Sequence, residues 1–277
     1  HPVNMAYEAA TADLNDVNMI DPFHLEAYGE TAVNYNRDVE IFPVLTAMFE
    51  RIVGSCPYKS PTDMGVNMAG NCIVDDEAVS IAAKDEIVRR YYRTLCSVRN
   101  GNASIDQVYK LKLLMEKAKV SISDRKVVAA AVSKAEETAN PAAAIELNDN
   151  QIVTGKTGDL LGASSAMLLN ALKNLAGIPD EMQLISPSVI APIQDLKVAH
   201  LGNLNARLHT DEVLIALSIC ALNDKNAEKA INCLHLLKGC EVHSSVILSQ
   251  VDVSVFRSLG INLTCEPTYQ TNKLYHR

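Results

Sequence analysis

Residues 239–252, GCEVHSSVILSQVD, admit two readings, and the fold of the second half of the chain turns on the choice. In the first, Glu241, His243 and Asp252 form a metal-ligand set. Glu241 and His243 stand two apart, so on an extended segment they project to one face, as chelation requires. His243-Ser244 and Ser249-x-x-Asp252 then bring an imidazole, hydroxyls and a carboxylate into one short stretch, with Ser245 where a second His would complete the set. A hydrolytic zinc needs three protein ligands and an open position for water. In the second reading, CEVHSSVIL is a strand. Ser249 is then the N-cap of a helix that turns Val255, Phe256 and Leu259 inward. Glu241, His243 and Ser245 share one strand face, and polar groups on an internal strand need partners.

The flanking sequence supplies the context. AAAIEL (142–147) and QIVTGK (151–156), joined by a short polar turn, read as a β-hairpin. LLGASSAMLLNALKNLAG (160–177) reads as a helix stopped by Gly177. Pro179, Pro187 and Pro192 mark 178–210 as an insertion. EVLIALSICAL (212–222) is a near-continuous apolar run, as in a strand covered on both faces. NDKNAEKAINCLHLLKG (223–239) is helical, and SQVDVSVFRSLG (249–260) and INLTCEP (261–267) add a helix and a strand. The order β-β-α-β-α-β-α-β predicts a three-layer α/β/α domain over 141–277, with an N-terminal hairpin on a mostly parallel sheet.

Residues 1–75 are mixed, and 76–140 have the three- and four-residue apolar spacing of a helical subdomain. In 34–54, Val39, Phe42, Leu45, Phe49 and Ile52 fall on one helical face, which Pro43 opens or kinks. Ser104 and Gln107 have the spacing of a capping box, and Asp124 that of a cap for the next helix.

The bulk composition excludes some functions. The 277 residues are 48% hydrophobic and 21% charged, which suits a globular chain with a substantial core. A net charge of -8 and the absence of a Lys/Arg block argue against nucleic acid and anionic membranes as partners. The apolar run around 213–222 is too short to span a bilayer. Seven irregularly spaced Cys without a Cys-x-x-Cys pair indicate reduced thiols and a cytoplasmic location. Cys240 and Cys265 read as buried structural thiols.

Several long stretches carry a family likeness. They include HPVNMAYEAATADLNDVNMIDPFHLEAYG (1–29), VNYNRDVEIFPVL (33–45), YKSPTDMGVN (58–67), LISPSVIAPIQDLK (184–197), HSSVILSQVD (243–252) and GINLTCEPTYQTNKLYHR (260–277). The chain resembles the uncharacterised bacterial family called domain of unknown function 1846, or uncharacterised protein family 0371. The resemblance implies an intact protein extended at its N-terminus, where a Gly-rich, P-loop-like motif would bind the phosphates of ATP or another nucleotide. It implies no particular reaction.

The hairpin and following elements also look like the cytidine-deaminase-like fold. Zinc deaminases carry His-x-Glu at one helix start and Pro-Cys-x-x-Cys at the next. The predicted helix starts, GASSAML and NDKNAEKAIN, carry neither, so zinc is not expected there. Gly155-Lys156-Thr157 is not a P-loop, because Asn150 occupies the position of its first glycine. A helix start within 158–164 could still hold an anion. Polar residues gather at Asn34, Asn36, Arg37 and Asp38, and at Lys59, Ser60, Thr62 and Asp63 in a Pro-stiffened loop. Arg37 and Lys59 suit phosphate or carboxylate. Three functions remain open. One is a cytosolic enzyme binding a nucleotide or phosphorylated small molecule between domains, with 1–75 completing an upstream domain. The second is a non-catalytic scaffold. The third is a degenerate metal-dependent hydrolase, because His243-Ser244 and Ser249-x-x-Asp252 resemble in kind the site of JAMM-type zinc peptidases. A C-terminal tail with Tyr269, Gln270, Lys273, Tyr275 and His276 suggests docking, and a homo-oligomer is expected.

Overall fold

Three alanines set the layering of the second half. In β1 (Ala142–Glu146), Ala142, Ala143 and Ala144 are fully buried, and their small side chains allow helices to approach both faces of the strand. The computed structural model describes residues 35–57 and 76–270, which fall into two compact units, 1–124 and 125–277.

The described part of the first unit is helical: α1 (Tyr35–Val53), α2 (Asp76–Arg99) and α3 (Ile105–Ala118), then a 3-10 turn at Ile122–Asp124. Pro43 lies inside α1. In α2 the arginine-rich segment closes on Glu86, which pairs with Arg89, Arg90 and Arg93. Burial would raise the Glu86 carboxyl, but the three guanidinium groups hold it below its ordinary value. Ser104 caps α3 by accepting from the Asp106 amide. The expected Asp124 cap is not formed. Asp124 accepts from Ser121 within the 3-10 turn, and Arg125 takes the N-cap position of the next helix.

That helix, α4 (Lys126–Thr138), packs on the sheet of the second unit. β1 is joined to β2 (Ile152–Lys156) by the expected hairpin turn. Then come α5 (Ala163–Ala176), α6 (Pro187–Asp195) with a π-helical continuation at Leu196–His200, α7 (Thr210–Cys220), α8 (Lys225–Asn232), β3 (Glu241–Ser244), α9 (Gln250–Ser258) and β4 (Asn262–Cys265). The sheet order is β2-β1-β3-β4. β1 pairs antiparallel with β2 and β3, and β3 pairs parallel with β4, so β1 alone runs against the rest. Ala143 and Ile145 join Met167, Leu168 and Leu172 of α5 in the main core, whereas Ala144 meets Val127 and Ala131 of α4. Because side chains alternate across a strand, α4 and α5 cover opposite faces and the unit is three-layered.

Two expectations are corrected. Residues 212–222 are not a strand: α7 covers most of them, and its apolar residues surround the helix instead of alternating across a sheet. Val213, Ala216 and Leu217 face the core at helical spacing, while Ile215 and Ile219 point outward. The described sheet therefore has four strands, of which one neighbouring pair is parallel, and is mixed rather than mostly parallel. Around residue 243 the strand expected over 240–248 is present but shorter, at Glu241–Ser244, and a helix and a strand follow it. Gly177 ends α5 at a φ of 63°, and the Ser249 hydroxyl caps α9 by accepting from the Asp252 amide at 3.2 Å.

Candidate functional site

The two halves of GCEVHSSVILSQVD belong to different polar clusters. On β3, Glu241 and His243 face α4, since His243 sits opposite Ala144 and Thr264 in the ladders. The partner for this face is Arg125. Its buried guanidinium pairs with Glu241 and donates to Thr264 Oγ1 at 3.2 Å, the Val242 carbonyl at 2.8 Å and the Asn262 carbonyl at 2.9 Å. His243, fully buried, has Nδ1 2.9 Å from Thr264 Oγ1 and Nε2 3.2 Å from Glu266 Oε1. Burial pushes the imidazole below its ordinary value against the pull of Glu266. Ser245 faces the hairpin, its hydroxyl accepting from the Ala142 amide. This cluster staples β3 to β4.

Asp252 belongs to the second cluster, at the start of α9. One carboxylate oxygen accepts from the Thr210 amide and the Thr210 hydroxyl, both at 3.0 Å. The other accepts from the Ser249 hydroxyl at 2.7 Å and lies 3.1 Å from His209 Nδ1. Glu241, His243 and Asp252 are thus not brought together. Among the described residues, no three His, Cys, Asp or Glu side chains are grouped to hold a metal ion.

Local sequence explains the second cluster. His-Thr-Asp-Glu at 209–212 is a helix start in which the Glu212 carboxylate accepts from the His209 amide at 2.8 Å. Lys197, turned inward by the π-helical segment, donates to Glu212 at 2.7 Å and to the Arg207 carbonyl at 2.7 Å. These bonds fix the strap 205–209 over the starts of α5 and α9. A cleft opens there, lined by Thr157, Gly162, Ala163, Ser164, Arg207 and His209 among others. With Nδ1 on Asp252, His209 Nε2 has no hydrogen bond among the described residues, and the side chain is 28% exposed.

The electrostatics follow from these bonds. Burial would raise Asp252, yet hydrogen bonds from His209, Ser249 and the Thr210 amide hold it at about 2, against an ordinary 3.8. The Asp252 hydrogen bond raises His209, which burial opposes. A depressed carboxyl contributes stability that is complete above its unfolded value and is lost as pH falls through the folded one. Acid unfolding should therefore show a loss of about 2 kcal/mol between about pH 4 and pH 2 that Asp252→Asn removes. The raised His209 acts oppositely, stabilising below about pH 6.5 and losing that contribution as pH rises. An unchanged acid limb in Asp252→Asn would refute this account.

Of the sequence candidates for ligand binding, Asn34, Lys59, Ser60, Thr62 and Asp63 lie outside the described residues. Asn36, Arg37 and Asp38 fall in the first turn of α1. The residues not singled out in the sequence are Arg125, His209 and Arg207, and Thr157 enters there only as the end of the rejected Gly155-Lys156-Thr157. Only His209 had a local signal, the capping pattern with Glu212.

Models of the N-terminal and C-terminal parts of domain of unknown function DUF1846 match residues 1–119 and 123–275. The chain belongs to the DUF1846 family. UPF0371 proteins of Streptococcus thermophilus, Corynebacterium diphtheriae and Corynebacterium glutamicum are 57%, 56% and 55% identical to it over 277 residues. All of this DUF1846 chain aligns, but it covers 56% of each of those relatives, so it spans little more than half their length. The family is uncharacterised. No helix among the described residues is long and apolar enough to cross a membrane.

Proposed function

We propose that the second unit supplies the proton-transfer group of a cytosolic enzyme acting on a nucleotide or other phosphorylated small molecule. The observation that carries this reading is His209, held through Nδ1 by the buried Asp252 and open at Nε2 in a cleft. A carboxylate on one ring nitrogen fixes the tautomer and makes the other nitrogen a better base. Asp252 is itself locked by Thr210 and Ser249, so the imidazole is held without rearrangement. Asn34, Asn36, Arg37, Asp38, Lys59, Ser60, Thr62 and Asp63 remain ligand candidates in this reading. Residues 1–75 would complete a domain upstream, where ATP or another nucleotide would place its phosphates.

The sheet order, with β1 alone reversed, supports a cytidine-deaminase-like topology for this unit. That topology would set Ser249-x-x-Asp252 and Gly162-Ala163-Ser164 where zinc deaminases carry Cys-x-x-Cys and His-x-Glu. Neither stretch contains His or Cys, and His209 reaches the same cleft from the strap before α7.

A thermal-shift panel of nucleotides and sugar phosphates on the full-length protein tests the reading. A ligand should stabilise by mass action, and His209→Gln should still bind it while phosphorus NMR shows its turnover reduced at least about 100-fold. Undiminished turnover in His209→Gln would remove the proposed role. A second reading, a non-catalytic oligomeric scaffold, draws on the outer face of α7, where Ile215 and Ile219 are 60% and 57% exposed. A panel without a hit, from a protein that sediments as a large oligomer, would favour it.

A further inference from the structure

We infer that the start of α5 is a subsite for a phosphate monoester, separate from the proton-transfer group and resting on the small-molecule reading above. Three helix starts line the cleft: those of α5, α7 and α9. Every helix start leaves amide donors unpaired and carries a positive dipole end. The α7 and α9 starts are satisfied internally, by Glu212 and Asp252 and by Ser249. The α5 start is not. Its N-cap is Gly162, which has no side chain to accept from the first-turn amides.

Two buried hydroxyls point to what accepts from them. Ser164 and Thr157 are 3% and 5% exposed, line the same cleft, and their hydroxyls have no hydrogen-bond partner among the described residues. Neither hydroxyl oxygen is among the buried unsatisfied atoms of the described residues, so both open to the cleft, beside the unpaired amides of α5. Arg207, whose Nε donates to the Gly158 carbonyl at 2.6 Å, brings its guanidinium to the rim. Amides, two hydroxyls and a guanidinium offer more donors than one carboxylate accepts, and they suit the multiple oxygens of a phosphate. Asp252 also lines the cleft, but its oxygens already take four hydrogen bonds, from Thr210, Ser249 and His209, and so are turned to those donors.

Gly162 adds a geometric argument. Its φ of -70° and ψ of 164° suit any residue, and an added Cβ would meet only the Leu208 carbonyl, at 3.9 Å. The backbone does not need glycine there, whereas an anion approaching the amides does.

Inorganic phosphate titrated into the chain, followed by the amide resonances of Ala163 and Ser164, is the test. Saturable shifts are expected in the parent chain and in His209→Gln. Ser164→Ala and Thr157→Val should each weaken binding about tenfold. Gly162→Asp should abolish the shifts while the melting temperature holds or rises, because its carboxylate caps the helix in place of the ligand. Acetate should bind more weakly than phosphate. Immobile resonances, or equal shifts in Gly162→Asp, would overturn the subsite and leave the His209 proposal standing. Normal phosphate shifts alongside undiminished turnover in His209→Gln would do the reverse.

Discussion

Arg125→Ala should destabilise the second unit by about 3 kcal/mol in denaturant unfolding. The residue stands just before α4, yet its side chain lies between that helix and the sheet and is 3% exposed. It ties together Glu241, Thr264 and the backbone carbonyls of Val242 and Asn262. Its removal takes a donor from each carbonyl, although Val242 keeps the bond from Thr264 Oγ1, and leaves the Glu241 carboxylate without its cation. Glu241 is 21% exposed and keeps its bond from Asn262, which holds the loss at the lower end for a broken buried pair. Arg125→Ala combined with Glu241→Gln should cost less than the sum of the two single changes, since removing the carboxylate removes the charge left unpaired. A loss under 1 kcal/mol, or strict additivity, would show that the cluster is incidental to the fold.

Sequence reasoning reached the β3-to-α9 junction because each signal there is local. Alternating Glu241, His243 and Ser245 gave the strand face, and Ser249 gave the cap. It could also state that the face required a partner. It could not name Arg125, which is 116 residues from Glu241 in sequence and is placed by the packing of α4. Residues 212–222 failed for a different reason. A helix that is apolar all round has no periodicity to separate it from a buried strand, and the outward Ile215 and Ile219 removed the polar stripe that would have marked it. Reading it as a strand hid the convergence of α5, α7 and α9. The cleft was invisible for that reason, although Ser249, Asp252 and the anion potential of 158–164 had each been noticed. His209 contributes through a long-range contact that no spacing rule encodes.

Gly155→Ala should destabilise the same unit by about 3 kcal/mol, at the upper end of overpacking effects. A Cβ at Gly155 would lie 2.1 Å from the Met167 amide nitrogen, 2.5 Å from its Cα and 2.7 Å from the Ala166 carbonyl carbon. All three are backbone atoms of α5, so no side-chain rotation relieves the contact and the helix must move off β2. That movement opens the core where Met167, Leu168 and Leu172 meet β1. Gly158→Ala is the control: a Cβ there meets nothing within 4 Å, and its cost should stay within about 0.5 kcal/mol. The pair also separates two explanations of Gly155-Lys156-Thr157. Were the glycine present to bring backbone amides to a phosphate, its loss would weaken ligand binding with little change in stability. The close approach of α5 requires the opposite order, with stability falling first and phosphate shifts at Ala163 and Ser164 fading because the start of α5 is displaced. Equal stability of Gly155→Ala and Gly158→Ala would contradict the packing account. In this fold the glycine of the hairpin serves the phosphate subsite indirectly, by seating the helix whose first turn forms it.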